Sequence, residues 1–232
     1  MLCRDGLQEI RRISQSVIDN LVTVGVSLDH VHVPGRALPS SNDKARLLTG
    51  EVEIGMGIHN EPGSSIVKAE LPKLVEKMLT QLLDLCDKDR AFVDFKGKND
   101  VALMINNLGG VSPLEIGGIT AEVIKQLKIR YDLQPVRVYS GPFMTSLNGM
   151  GFSITLLKLG EKQHRSTRRL VDLLDDPAEA TGWSAPVTAK TWDNPHKKVS
   201  KPMSNNNDSI QSSHLKSRSF SLFYVQMKPS LQ

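Results

Sequence analysis

The stretch VALMINNLGGVSPLE, residues 101–115, restricts the fold of this chain more than any other segment. Val101 to Asn106 form a short apolar run of the kind that buried strands carry. The turn NNLGG breaks that run. Ser112-Pro113-Leu114-Glu115 then combines a capping box with proline at the first helical position, where a missing N–H costs nothing. A strand must stop and a helix must start within a few residues. The helix is predicted to continue to about Lys128, followed by the strand VRVYS at 136–140. A polar loop, GPFMTSLNGMG, leads into a further strand, FSITLLKL, at 152–159.

Upstream, Leu7, Ile10, Ile13, Val17, Leu21 and Val24 recur at spacings of three and four. This predicts one amphipathic helix that Gly25 ends. VSLDHVHVPG follows as a short extended piece broken at Pro34-Gly35, and residues 36–50 read as a polar loop. Val52, Ile54, Met56 and Ile58 alternate, which predicts a strand running directly into His59. Leu71, Val75, Met78, Leu82 and Leu85 lie on one face of a second helix, with Pro72 tolerated in its first turn. Helices alternating with strands imply an α/β layer structure.

Beyond Leu174 this order fades. WSAPVTAKTW reads as a covering segment, and the Ser/Asn/Lys-rich tract from about Pro195 is expected to be disordered. The expected organisation is one domain over 1–192 and a tail over 193–232. The net charge of +4 misleads about partners, because six cations against two anions after Trp192 account for all of it. The body of the chain is therefore neutral and offers no electrostatic footprint for nucleic acid. No apolar run approaches the roughly 20 residues that a membrane helix needs, and MLCRDGLQEIRR has none of the apolar run of a secretory signal. Cys3 and Cys86 alone support neither a disulfide framework nor a zinc site, so a reducing, cytoplasmic setting is expected.

Chemistry is concentrated in GMGIHNEPG, residues 55–63. A histidine with a pKa of about 6.5 is largely neutral near pH 7, so His59 offers a ring nitrogen as nucleophile or base. Gly55, Gly57 and Gly63 let the backbone turn and a small ligand approach. If the segment is extended, Glu61 shares a side with His59 and can accept its other ring N–H, fixing the tautomer. On spacing alone, a plain turn histidine bonded to backbone is the better-supported alternative. His30 and His32 share a face if extended, but no third metal ligand accompanies them at a recognisable spacing, and no metal site is assigned. His164, His196 and His214 lie in polar segments. NNLGG and GPFMTSLNGMG are either phosphate-facing loops or tight structural turns, and neither matches a known phosphate-loop fingerprint.

Taken in order, LVTVGVSLDHVHVPGR, EVEIGMGIHNEPG, INNLGGVSPLE and FMTSLNGMGFSITLLK resemble the second half of the substrate-binding K domain of dihydroxyacetone (glycerone) kinases. ATGWSAPVTAKTW is similar to the end of that domain. The wording is most like the ATP-dependent, fungal-type enzymes, and the blocks span roughly residues 13–192. The resemblance implies an α/β fold with a mixed central sheet flanked by helices. It implies that His59 attacks the ketone carbon of dihydroxyacetone and holds it as a covalent hemiaminal; Gly57 and Glu61 are expected to support it on the local reading above. Glycerol has no electrophilic carbonyl, so covalent capture separates ketone from polyol where hydrogen bonding alone would struggle.

The resemblance also implies ATP and Mg²⁺ for the full-length enzyme, but no binding site for either is identifiable in this chain. The family's GGGSGHEP-like loop, its lysine and aspartate base, and the helical L domain with a DGDTG-like motif have no counterpart here. Two expectations follow. The chain is either a glycerone kinase family member that phosphorylates dihydroxyacetone, or a truncated K-domain fragment limited to binding a carbonyl substrate or a partner K-type subunit.

Overall fold

The computed structural model describes residues 6–29, 31, 35, 47–57, 61–95, 100–160, 169–183, 188, 190 and 192. The chain divides into two units, Met1–Pro186 and Val187–Gln232, and every element below belongs to the first. In chain order these are α1 (Leu7–Asp19), β1 (Leu21–Ser27), β2 (Glu51–Ile54), β3 (Ser65–Lys68), α2 (Leu71–Leu83), β4 (Val101–Asn107), α3 (Pro113–Tyr131), β5 (Arg137–Gly141), β6 (Gly151–Lys158) and α4 (Leu170–Leu174). The strands form one six-stranded sheet in the order β3-β2-β1-β6-β4-β5. Only β4 and β5 pair in parallel, across helix α3, and every other neighbour is antiparallel. The expected mixed α/β sheet flanked by helices is what the chain forms.

The capping box at Ser112 is present in both directions. Glu115 N–H donates to Ser112 Oγ at 3.3 Å, and Ser112 N–H donates to Glu115 Oε2 at 2.9 Å. The helix it starts runs to Tyr131, one turn beyond Lys128, where Asp132 takes a left-handed conformation at φ 53°. On this face of the sheet, α2 and α3 cover Val22, Val24, Val26, Leu103, Ile105, Phe152, Ile154 and Leu156. Burying each such side chain contributes about 1.5–3 kcal/mol. Gln126, itself buried, donates from Nε2 to the Pro72 carbonyl at 2.7 Å and so ties α3 to the first turn of α2.

Three expectations are corrected. The first helix stops at Asp19, where Asn20 caps it by donating its side-chain N–H to the Ser16 carbonyl at 2.8 Å. Leu21 and Val24 belong to β1, and Gly25 lies inside that strand instead of ending a helix. The three-and-four spacing is fortuitous. The β-branched run Val22-Thr23-Val24 prefers extended backbone, and full-length pairing with β6 selects the alternation of Val22, Val24 and Val26 into the core. The second strand ends at Ile54 and does not continue through Met56, because Gly55 at φ +80° turns the chain. Leu85 lies in the turn after α2, since Asp84 takes extended geometry. Strand β3 and helix α4 arise where the sequence predicts no element.

The opposite face carries a smaller cluster of Ala102, Tyr139, Leu157, Leu159 and Val171, packed against Val17 of α1, α4 and Trp183. Trp183 lies 5.4 Å from the Tyr139 ring and 5.1 Å from Phe143, so this part of the covering segment does cover the sheet. Beneath it, Arg137 forms a bidentate pair with Asp175 at 2.7 and 2.8 Å, with side chains only 7% and 15% exposed. The neighbouring Tyr139 hydroxyl is buried without a hydrogen-bond partner among the described residues. Burial, and secondarily the Asp175 charge, raise the Tyr139 pKa above its ordinary 10.0, while Arg137 opposes the shift. The phenol's contribution to stability is thus fully present below pH 10.0 and is lost as pH rises through the raised folded value. Tyr139→Phe is expected to stabilise the protein by about 1 kcal/mol by removing an unpaired hydroxyl. It should also flatten that alkaline decline, read from urea midpoints measured across pH.

Candidate functional site

The segment GMGIHNEPG connects two antiparallel strands, β2 and β3, which pair from Glu51↔Lys68 to Ile54↔Ser65. Its neck is tightly closed. Ser64 N–H donates to the Ile54 carbonyl at 2.8 Å, and the Ser64 hydroxyl donates to the same oxygen at 3.1 Å. Gly63 N–H donates at 2.5 Å to Oε1 of Glu53, a residue only 7% exposed. Gly55 N–H donates to the Gly25 carbonyl at 2.7 Å and pins the neck to β1. A Cβ at position 63 would lie 2.8 Å from Glu53 Cγ and 2.9 Å from Met56 N, so glycine is required there by close approach.

Further out, Gly57 N–H donates to the Glu61 carbonyl at 3.1 Å, bringing together the residues that flank positions 58–60. The Glu61 carboxylate folds over Gly57, and a Cβ at Gly57 would collide with it. Gly57 and Glu61 therefore meet across the three positions between them. His59 itself lies outside the described residues, as do His30, His32, His164, His196 and His214. Sequence reasoning misses Glu53. A signal exists, since EVEI puts Glu53 out of phase with Val52 and Ile54, yet the sheet buries all three.

The loop borders a cleft of about 850 Å³. Gly55, Met56, Pro62, Gly63 and Ser64 line it together with β1, the end of α1, the end of α2 and Asp89, Arg90 and Phe92 after it. Among the described residues, no group of three His, Cys, Asp or Glu side chains is placed to hold a metal ion. No helix among them is long and apolar enough to cross a membrane.

The two other glycine-rich loops meet each other at a different place. Asn106 Oδ1, at the end of β4, accepts from Phe143 N at 2.9 Å and Met144 N at 2.8 Å, while its Nδ2 donates to the Met144 carbonyl at 2.8 Å. Asn107 Oδ1 accepts from Gly109 N at 2.8 Å and Val111 N at 3.2 Å, and its Nδ2 donates to the Val111 carbonyl at 2.5 Å. Gly110 N–H then donates to the Gly149 carbonyl at 2.9 Å. The asparagine side chains thus fix both loops by satisfying their turn backbone. This knot sits where β1, β4 and β5 end, whereas β2 runs the other way and carries the 55–64 loop towards the start of β1.

Comparison with known proteins places these features in context. The family model described as the Dak1 domain matches residues 3–182. A dihydroxyacetone kinase of Pichia angusta is 42% identical over 195 residues, covering 81% of this chain and 32% of that protein. Dihydroxyacetone kinase 1 of Saccharomyces cerevisiae is 42% identical over 196 residues, covering 80% and 32%. Among solved structures, the dihydroxyacetone kinase of C. freundii in complex with AMP-PNP and Mg²⁺ superposes with a TM-score of 0.65 at 27% identity, covering 88% of this chain and 33% of that one. The chain spans about a third of the length of the curated relatives it matches.

Proposed function

The chain belongs to the Dak1 domain family of dihydroxyacetone kinases, and on that premise we propose that it captures dihydroxyacetone covalently on His59 for ATP-dependent phosphorylation to glycerone phosphate. The observation that carries this reading is the pinched neck of the 55–64 loop. Buried Glu53 and the Ser64 bonds to Ile54 hold both ends of a histidine-bearing segment beside an open cleft. Ordered ends restrict where a nucleophile at position 59 can be, and orientation of that kind is a large part of the advantage of a bound nucleophile. The unprotonated ring nitrogen adds to the ketone carbon, the carbonyl oxygen takes up a proton, and the other ring nitrogen gives one up. The adduct then weighs the sum of protein and substrate.

Phosphoryl transfer requires positioning and charge neutralisation by metal and cationic groups. The C. freundii kinase is described with AMP-PNP and Mg²⁺. Among the described residues no three His, Cys, Asp or Glu side chains are placed to hold a metal ion, and the part proposed for this chain is carbonyl capture. As a second reading we infer a carbonyl-binding or partner-binding role for these 232 residues, with phosphoryl transfer carried by residues outside them, in the same or another polypeptide; the chain spans about a third of its curated relatives.

Intact mass spectrometry under gentle conditions tests capture directly. Dihydroxyacetone is expected to raise the mass by one substrate molecule, glycerol to have no effect, and His59→Ala to show no adduct. An adduct retained in His59→Ala, or absent from the folded wild type, overturns the assignment of His59. A coupled assay with ATP, Mg²⁺ and dihydroxyacetone separates the two readings, since turnover by the purified chain supports the first and capture without turnover the second.

A further inference from the structure

The knot between the loops after β4 and β5 contains the dipeptide Asn148-Gly149, and packing favours glycine at its second position. A Cβ on Gly149 would lie 3.0 Å from the Ser146 carbonyl oxygen and 3.1 Å from Val31 Cγ2. Both approaches are tighter than ordinary van der Waals contact. The same glycine creates a chemical hazard. Asparagine is a labile residue, because the backbone nitrogen that follows it can attack its Cγ. A following residue without a Cβ hinders that attack least. Among the described residues no hydrogen bond holds the Asn148 side-chain amide.

What restrains the reaction is the backbone. Ring closure needs the Gly149 nitrogen to lose its proton and the Asn148–Gly149 peptide to rotate towards Cγ. In the knot, Gly149 N–H donates to the Ser146 carbonyl at 2.8 Å, and the Gly149 carbonyl accepts from Gly110 N–H at 2.9 Å. Gly109 and Gly149 pair as a parallel bridge, and Ser146 N–H donates to the Leu108 carbonyl at 2.9 Å. The Asn148 carbonyl is packed against Gly110, where a Cβ would come within 2.4 Å of it. The peptide is thus held from both sides, and its nitrogen is engaged as a donor. Leu147 is kept in a left-handed conformation at φ 49° that a leucine rarely adopts, so opening the turn releases strain.

We propose that Asn148 is a site of spontaneous modification, deamidating through a succinimide with Gly149 only when the knot opens, and that the isoaspartyl product keeps the knot open. The Gly149 nitrogen bonds to Asn148 Cγ as its proton passes to solvent, and the side-chain nitrogen leaves as ammonia. Water then opens the ring. Attack at Cγ gives aspartate, and attack at the main-chain carbonyl gives isoaspartate, whose main chain is one methylene longer. Water is the only co-reactant. The added methylene lies inside the Ser146–Gly149 turn, so the bonds of the Gly149 N–H and of the Gly149 carbonyl cannot both survive. None of this depends on carbonyl capture at position 59.

The test is ageing of the full chain in mildly alkaline buffer, folded and in urea, followed by peptide mapping with mass spectrometry and enzymatic isoaspartate labelling. Residue 148 is expected to lose its amide at least about tenfold faster in the unfolded chain, because the folded rate is limited by local opening. Asn107→Ala removes the side chain that holds the 107–111 turn and should raise the folded rate without changing the unfolded one. If that variant does not fold, urea below the unfolding midpoint gives the same readout in the wild type, a rate that rises ahead of global unfolding. Asn148→Gln, which would have to close a larger ring, should stay unmodified over the same period. In the isoaspartyl chain the Gly110 and Gly149 amides should exchange hydrogen at least about tenfold faster than in the fresh chain. Equal folded and unfolded rates overturn the proposal, as does an intact Asn148 in the unfolded chain. So does a folded rate that neither Asn107→Ala nor low urea changes. Gly110 and Gly149 amides that stay protected in the isoaspartyl chain overturn its second half.

Discussion

Replacing Arg137 with alanine is expected to destabilise the folded chain by about 3–5 kcal/mol, the range for breaking one side of a buried ion pair. The substitution leaves the Asp175 carboxylate, 15% exposed, without its two guanidinium bonds. It also removes the bond from Arg137 to the Val136 carbonyl at 2.8 Å. The loss should be read as a lower urea midpoint with an unchanged slope. The double substitution Arg137→Met with Asp175→Leu should recover most of it, because two apolar groups of similar volume leave no uncompensated charge. If the single substitution costs under about 1 kcal/mol, the pair is no more than a surface bridge.

The second large effect concerns the proposed capture on His59. Gly63→Val is expected to raise the dihydroxyacetone concentration needed for adduct formation by about a hundredfold or more, the cost of displacing a reacting group by roughly 1 Å. The added side chain meets the Ile54 carbonyl and Glu53 Cγ of β2 and Met56 N just beyond it, so the neck itself must open. Gly57→Ala makes the informative contrast, because the atoms it meets are those of the Glu61 side chain, which can swing aside. Its effect should be smaller. Equal losses from the two substitutions would show that the neck has no special place in positioning His59.

Much of this architecture is legible in the sequence, for local reasons. The Ser112 capping box, the Pro72 helix start and the apolar run at Val101 each specify an element within a few residues, and each forms as written. The failures are those of partners distant in sequence. Leu21 and Val24 fit a helical spacing as well as a strand, and only pairing with Leu157 and Ile154 decides between them. Strand β3 is a four-residue edge whose side chains are at most half-buried, so little hydrophobic patterning marks it. The Arg137–Asp175 pair and the Glu53–Gly63 bond join residues that no spacing rule connects. At the candidate site the glycines signal what they do, close approach and sharp turning. The carboxylate that holds the neck escapes notice because an acidic residue between two apolar ones in a strand reads as solvent-facing.

The strand order carries a further consequence for how the protein is made. β6 alone joins the half-sheet β3-β2-β1 to the half-sheet β4-β5, and it is the last strand among the described residues. During synthesis the first half-sheet emerges with the inner edge of β1 bare, and the second with the edge of β4 bare, until residues 151–158 leave the ribosome. Contacts that close so late and span so much chain make folding slow. A nascent chain stalled before Gly151 exposes two apolar, unpaired strand edges at once, which is the condition under which chains aggregate or engage chaperones.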